Sequence, residues 1–143
     1  MIIKYKKISE SAHDPYRVYN SDACWDLCAH GNFPVLAGKW ATIPTGLIID
    51  IPNDYCGLIM SRSGLAAKTG MFVLNAPGVI DAGYAGELNI IVANMSDENW
   101  GITDGQRIAQ LFIAPVEQHH LSRDDSMIIH SMRGSNGFGS TGY

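Results

Sequence analysis

Arg62, Ser63 and Gly64 stand together where an apolar run ends and Leu65-Ala66 can open a short helix. The arginine offers a fork of N–H donors, the serine a hydroxyl, and the glycine an approachable backbone N–H. Such a trio suits phosphate oxygens at the start of a helix. It equally suits an ordinary helix end capped by Ser63. Asp81 follows the apolar pair Val79-Ile80, so its carboxylate can sit at the edge of a pocket and activate a water. A turn aspartate can instead bond its own backbone. Asn75 can read the edge of a base and Tyr84 can pack on a sugar, yet both types are also frequent at hairpin ends. Arg107 and Gln110 are polar residues inside an apolar run. They are either satisfied strand residues or donors aimed at a ligand.

These groups need a frame, and the frame is β. Runs rich in Ile, Val or Leu and bounded by Gly, Pro, Asn or Asp predict strands over 41–44, 47–51, 57–61, 71–74, 87–93 and 107–114. Pro52-Asn53-Asp54 and Asp81-Ala82-Gly83 supply turn chemistry. Residues 75–87 read as a β-hairpin, and the only helical candidate is 63–68. The pattern predicts an all-β barrel or sandwich with little helix, without repeats or linkers. Residues 133–143 differ: they hold four glycines and, before the terminal tyrosine, one large apolar side chain, Phe138. Such a segment cannot fold by itself. It is either a frayed end or a flexible arm whose arginine, hydroxyls and Phe138 grip a ligand.

A chain of 143 residues suits one domain. Its net charge of −4, with no basic run longer than Lys6-Lys7, argues against polymeric nucleic acid as a partner. Neither a signal peptide nor a membrane-length apolar run is legible, so an intracellular, cytoplasmic protein is expected. The three cysteines, Cys24, Cys28 and Cys56, contain no Cys-x-x-Cys pair, which favours reduced thiols. Cys24, Cys28 and His30 lack a fourth metal ligand at a credible spacing. His119, His120 and His130 lie in a polar stretch and read as solvated. The C-terminal glycines are not a Walker loop, because Gly-Lys-Ser/Thr and a following helix are missing.

In this order the segments resemble the five motifs of the trimeric dUTPase family, from about residue 21 to 142. The motifs are Ala23-Cys24-Trp25-Asp26-Leu27; Ser61-Arg62-Ser63-Gly64-Leu65-Ala66; Gly78 to Glu87 around Asp81 and Tyr84, with Asn75 ahead; Gly105-Gln106-Arg107-Ile108-Ala109-Gln110-Leu111; and residues 133–142 around Phe138. The chain departs from the family pattern in having Cys24-Trp25 for Gly-Tyr, Ser61 for Pro, and Asn136 for Gly.

The resemblance implies a distorted, jelly-roll-like β-barrel (β-clip) over residues 1–132 and a flexible arm, 133–143, that closes over the active site. It implies a homotrimer with sites at subunit interfaces, and hydrolysis of dUTP to dUMP and pyrophosphate. By the same resemblance Asp81 is the general base, and Arg62, Ser63, Gly64 and Gln110 hold the triphosphate. Mg²⁺ bridges the phosphates, with Asp26 gripping its water shell. Asn75 and the backbone near Gly78 and Ile80 read uracil, and Tyr84 packs beneath deoxyribose. Phe138 closes over the base, Arg133, Ser140 and Thr141 reach the γ-phosphate, and Gly139 is a further substrate-binding position. A dCTP deaminase of the same fold would need a catalytic glutamate where Ile91 stands. A regulatory or binding protein of this fold, with an unknown protein partner, would have no use for the complete set of catalytic residue types.

Overall fold

The structure, a computed structural model, describes residues 1–132, 134 and 135. It is built of short antiparallel strands with one small helix, a distorted barrel of jelly-roll type. The strands are β1 (Lys4–Lys7), β2 (Trp25–Cys28), β3 (Phe33–Val35), β4 (Trp40–Pro44), β5 (Leu47–Asp50) and β6 (Tyr55–Met60). Helix α1 (Ser63–Thr69) follows, then β7 (Met71–Val73), β8 (Gly78–Ile80), β9 (Asn89–Asn94), β10 (Trp100–Ile102) and β11 (Arg107–Pro115).

Two sheets enclose the core. One has the order β2-β11-β6-β8 and the other β4-β9-β7. Alternation decides which side chains face inward. On β9, Ile90 and Val92 are buried while Ile91 between them is only partly covered. Leu27, Ile59 and Leu111 line the facing sheet, and Met71, Val73 and Ile43 close the other side. Burying each such side chain contributes about 1.5–3 kcal/mol. Leu27→Ala, directly beside Asp26, would cost about 2–5 kcal/mol because the vacated volume has no side chain free to refill it. The pairs β1-β5 and β3-β10 flank the sheets. Lysines on β1 discourage further edge pairing.

Residues 75–87 are not a hairpin. Their one strand, β8, pairs with β6, with Gly78 opposite Ile59 and Ile80 opposite Gly57. The strand that follows, β9, pairs with β4 and β7 instead. In this stretch Val79 is exposed, and Ile80 packs against the β6 side of the core. The chain then turns at Asp81, whose carbonyl accepts the Tyr84 N–H at 3.2 Å.

Beyond Pro115 the chain leaves the barrel. Residues 116–132 form no strand and are exposed throughout, including Leu121, Met127, Ile128, Ile129 and Met132. His119, His120 and His130 are exposed as well. Among the described residues no helix is long and apolar enough to cross a membrane.

Candidate active site

Strand order brings the first group of site residues together. Gln110 on β11 lies opposite Asp26 of β2 on one side and Met60 of β6 on the other. Arg62 leaves the end of β6 two residues later. Between Arg107 and Ala109 the β2–β11 register slips by a bulge. A bulge re-aims the side chain beside it, and the Arg107 guanidinium reaches back to Asp26.

The result is a clamp around one carboxylate. Arg62 donates from Nε to Asp26 Oδ1 at 2.8 Å and from Nη2 to Oδ2 at 3.3 Å. Arg107 Nη1 donates to Oδ2 at 3.0 Å. Arg62 Nη1 also reaches the Arg107 carbonyl at 3.1 Å, and Gln110 Nε2 donates to the Ser61 carbonyl at 2.8 Å. Two guanidiniums against one carboxylate leave a local positive charge in a chain of net charge −4. The Asp26 side chain is only 17% exposed, so the pairs are poorly screened. Removing Asp26 would leave two cations side by side.

Asp26 and Gln110 face a cavity of about 330 Å³, with Cys24, Asp22 and Arg17 on its other walls. Burial, and then the Asp26 charge, push the Cys24 thiol up. It remains protonated at neutral pH and is no nucleophile. Cys24, Cys28 and Cys56 are all free, and His30 bonds Ser11 Oγ at 2.9 Å. Among the described residues no three His, Cys, Asp or Glu side chains gather around one point. The donors at Asp26 do suit Mg²⁺ held through water. Both carboxylate oxygens already accept from arginine, so direct coordination would displace a guanidinium, whereas Mg²⁺ commonly keeps several waters and needs only one or two carboxylates plus substrate phosphates.

Ser63 is not the helix cap. The N-cap is Arg62, in extended geometry, with no side-chain cap bond. Ser63 lies inside the first turn, so its hydroxyl cannot serve the end it already belongs to. Ser63 and Gly64 are both exposed. The helix ends at Gly70, left-handed at φ 70°, whose N–H bonds the Ala66 carbonyl.

A second group sits on loop 75–87. Gly78 is buried against Asn75: a Cβ there would lie 2.9 Å from Asn75 Nδ2. Tyr84 folds over Gly86, where a Cβ would lie 2.5 Å from Oη and 2.7 Å from Cζ, and its hydroxyl donates to the Glu87 carbonyl at 3.0 Å. The Asp81 carboxylate is exposed and makes no hydrogen bond among the described residues. The self-bonded turn aspartate is therefore not what is seen.

Asp81 stands apart from the clamp within one chain. Gly78 pairs with Ile59 near the Arg62 end of β6, but Ile80 pairs with Gly57, five residues before Arg62, and Asp81 lies beyond it. At about 3.3 Å per residue this separates Asp81 from the clamp by roughly 15–20 Å. Arg133, Phe138, Gly139, Ser140 and Thr141 lie outside the described residues.

Two arginines near Asp26 were underused in the sequence reading. Arg107 was flagged only as a possible donor, and Arg17 was passed over. Arg17 has one local cue, a tryptophan at position 25 that can stack a cation. The guanidinium lies 4.4 Å from the centroid of that ring.

Comparison with known proteins covers nearly the whole chain. The dUTPase family model matches residues 10–142. A deoxyuridine 5'-triphosphate nucleotidohydrolase of Clostridium tetani is 41% identical over 140 residues, 98% of this chain and 96% of that protein. One from Rickettsia felis is 42% identical over 143 residues, with the same coverage. A Staphylococcus bacteriophage 80alpha dUTPase solved with dUpNHpp has a TM-score of 0.90 at 30% identity, covering 99% of each chain. A dUTPase from phage phi11 of S. aureus, whose structure details a structural Mg(II) ion, has a TM-score of 0.82 at 26% identity, covering 89% of this chain and 99% of that one. Match and coverage agree with the five motifs of the sequence and with the barrel, and the chain belongs to the dUTPase family.

Proposed function

We propose that this dUTPase works as a homotrimer in which each active site joins loop 75–87 of one subunit to the Asp26 clamp of another. The reaction is hydrolysis of dUTP to dUMP and pyrophosphate. The separation of Asp81 from the clamp along β6 carries the shared-site reading. That separation supports a site whose loop and clamp come from different chains. The exposed apolar residues of 116–132 support assembly too, since large apolar patches on a lone chain mark contact surfaces.

Asp81 accepts a proton from a water whose oxygen attacks the α-phosphorus. The bond from that phosphorus to its bridging oxygen breaks, and pyrophosphate leaves in line. The exposed Asp81 carboxylate suits this task, because no bond from the described residues competes for it. Arg62, Ser63, Gly64 and Gln110 orient the polyphosphate, and the cations of the clamp offset the charge gathered in the transition state. Mg²⁺, held through water at Asp26, supplies further countercharge when bound. Asn75 with the backbone at Gly78 and Ile80 reads uracil, and Tyr84 occupies the space a 2′-hydroxyl would need. The arm 133–143 closes over the nucleotide, with Phe138 on the base and Arg133, Ser140 and Thr141 at the γ-phosphate, Gly139 allowing close approach. Three free cysteines fit a reducing, cytoplasmic setting.

Release of pyrophosphate from dUTP, measured with and without Mg²⁺, tests the reading. Turnover should depend on the ion and favour dUTP over dCTP, dTTP and UTP. Comparable turnover of dCTP would overturn it, and ammonia from dCTP would point to deamination.

A further inference from the structure

Every arginine but one in the described residues is paired with a carboxylate: Arg62 and Arg107 with Asp26, and Arg123 with Asp125. Arg17 is the exception. It lies over the Trp25 ring at 4.4 Å, and its Nη1 donates to the Asp22 carbonyl at 3.3 Å. It also stands in the wall of the cavity that holds Asp26 and Gln110.

Its place there is fixed by backbone. Tyr16 and Asp26 form an isolated bridge, with Tyr16 N–H to the Asp26 carbonyl at 3.0 Å and Asp26 N–H to the Tyr16 carbonyl at 2.7 Å. Arg17 is the next residue, so its register against Asp26 is set by two hydrogen bonds. The aromatic face then sets the side chain. A guanidinium stacked on indole gives up less freedom on binding than a free one, and it still points its remaining N–H donors elsewhere. Trp25 stands where the family usually has tyrosine, and indole is the better partner for a cation.

We propose that Arg17 is a further substrate-binding residue, a guanidinium held on Trp25 to bond the pyrophosphate portion of dUTP. This rests on reading the Asp26 cavity as the polyphosphate site. The pyrophosphate is favoured over the α-phosphate because Asp81, which must address the α-phosphorus, belongs to the other residue group. A cavity with two carboxylates on its walls, Asp22 and Asp26, would repel a polyphosphate unless cations face it. Arg62 and Arg107 supply part of that charge while bonded to Asp26, and Arg17 is the described arginine that adds a guanidinium paired with no carboxylate.

The test uses the full chain with Arg17→Ala, Arg17→Lys and Trp25→Phe. It reads kcat and KM for dUTP, inhibition by pyrophosphate and by dUMP, and the unfolding midpoint of each variant. Arg17→Ala should raise KM for dUTP and weaken pyrophosphate inhibition about tenfold, the scale of one charge-assisted hydrogen bond. Inhibition by dUMP should change less than about twofold on the same scale. Arg17→Lys keeps the charge but loses the fork, and should fall between. Trp25→Phe, which keeps an aromatic face, should move the same readings by a smaller factor. Unchanged dUTP and pyrophosphate values in folded Arg17→Ala would overturn the proposal. So would an equal loss for dUMP, which would make Arg17 a brace for the frame. If the wild type released no pyrophosphate from dUTP, the activity reading would fall. Calorimetric binding of pyrophosphate to the wild type, lost in Arg17→Ala, would still support the role of Arg17, and equal binding by both would overturn it.

Discussion

The proposed mechanism gives Asp81 and Asp26 different work, and their surroundings differ accordingly. Asp26 is wrapped by two arginines and can accept little more. Asp81 is exposed and unbonded among the described residues, so its lone pairs are available to a water. Asp81→Asn keeps the shape and removes the base. The turnover rate should fall by roughly 10²–10⁴-fold while dUTP affinity, measured by equilibrium binding, stays near wild type. Near-normal turnover would make Asp81 a turn residue and nothing more. Tyr84 offers a separate test through its neighbour. A methyl group at position 86 cannot coexist with the ring as placed, since Cζ would lie 2.7 Å away. Gly86→Ala should therefore shift Tyr84 and lower the preference for dUTP over UTP by about tenfold, read from the ratio of kcat/KM values. An unaltered ratio would remove Tyr84 from sugar selection.

The strands that carry these residues were legible in different degrees. Those written in Ile, Val and Leu between turn residues, such as Leu47–Asp50 and Arg107–Pro115, were found within a residue or two, as was the helix. Lys4–Lys7 was missed because its charges hide a strand that a partner supplies. Phe33–Val35 was missed because a proline sits in its middle. The residue types of the candidate site stand in order along the sequence, but their assembly cannot be read from it. Asp26, Arg62 and Arg107 meet only because β2, β11 and β6 are neighbours, and no local pattern encodes that order. No element was assigned before β2, although residues 9–16 are held to the barrel, with Ser11 Oγ 2.9 Å from His30 Nε2 and the Tyr16 N–H on the Asp26 carbonyl at 3.0 Å. His13 Nε2 lies 2.9 Å from Asp104 Oδ2, and the Gly31 N–H donates to Asp104 Oδ1 at 2.6 Å. The hydrogen bond from His13, followed by that from Gly31, holds the Asp104 carboxyl below the usual carboxylate range. A lowered carboxylate stabilises the fold above its ordinary value and loses that contribution as the pH falls through the lowered one. Unfolding midpoints of wild type and Asp104→Asn should therefore differ above about pH 4 and converge in stronger acid. A gap that persists undiminished at the acid end would show that Asp104 acts without its charge.

At the scale of the whole molecule, shared sites make a quantitative claim. Asp81→Asn spoils the loop and Arg62→Ala spoils the clamp. In mixed trimers of the two, a site is intact when its loop and clamp each come from the unspoiled chain, so random mixing restores about one site in four. Activity no higher than that of the parents, in trimers shown to hold both chains, would refute sharing. Truncation after Met132 should weaken dUTP binding by about 1–3 kcal/mol if Phe138 stacks on the base, and unchanged kinetics would make residues 133–143 a frayed end. The β2–β11 pairing also bears on how the chain folds. Trp25 pairs with Leu111 and Asp26 with Gln110, residues far apart in the chain, and the first of them must wait for the last strand. Closing such long loops is slow, and domains ruled by distant pairings fold in about milliseconds to seconds. A piece that lacks either β2 or β11 lacks part of the clamp. A nucleotide therefore finds its grip only after β11 has been laid between β2 and β6, and it stabilises the completed barrel alone. During refolding, the return of pyrophosphate binding would keep time with the slowest phase.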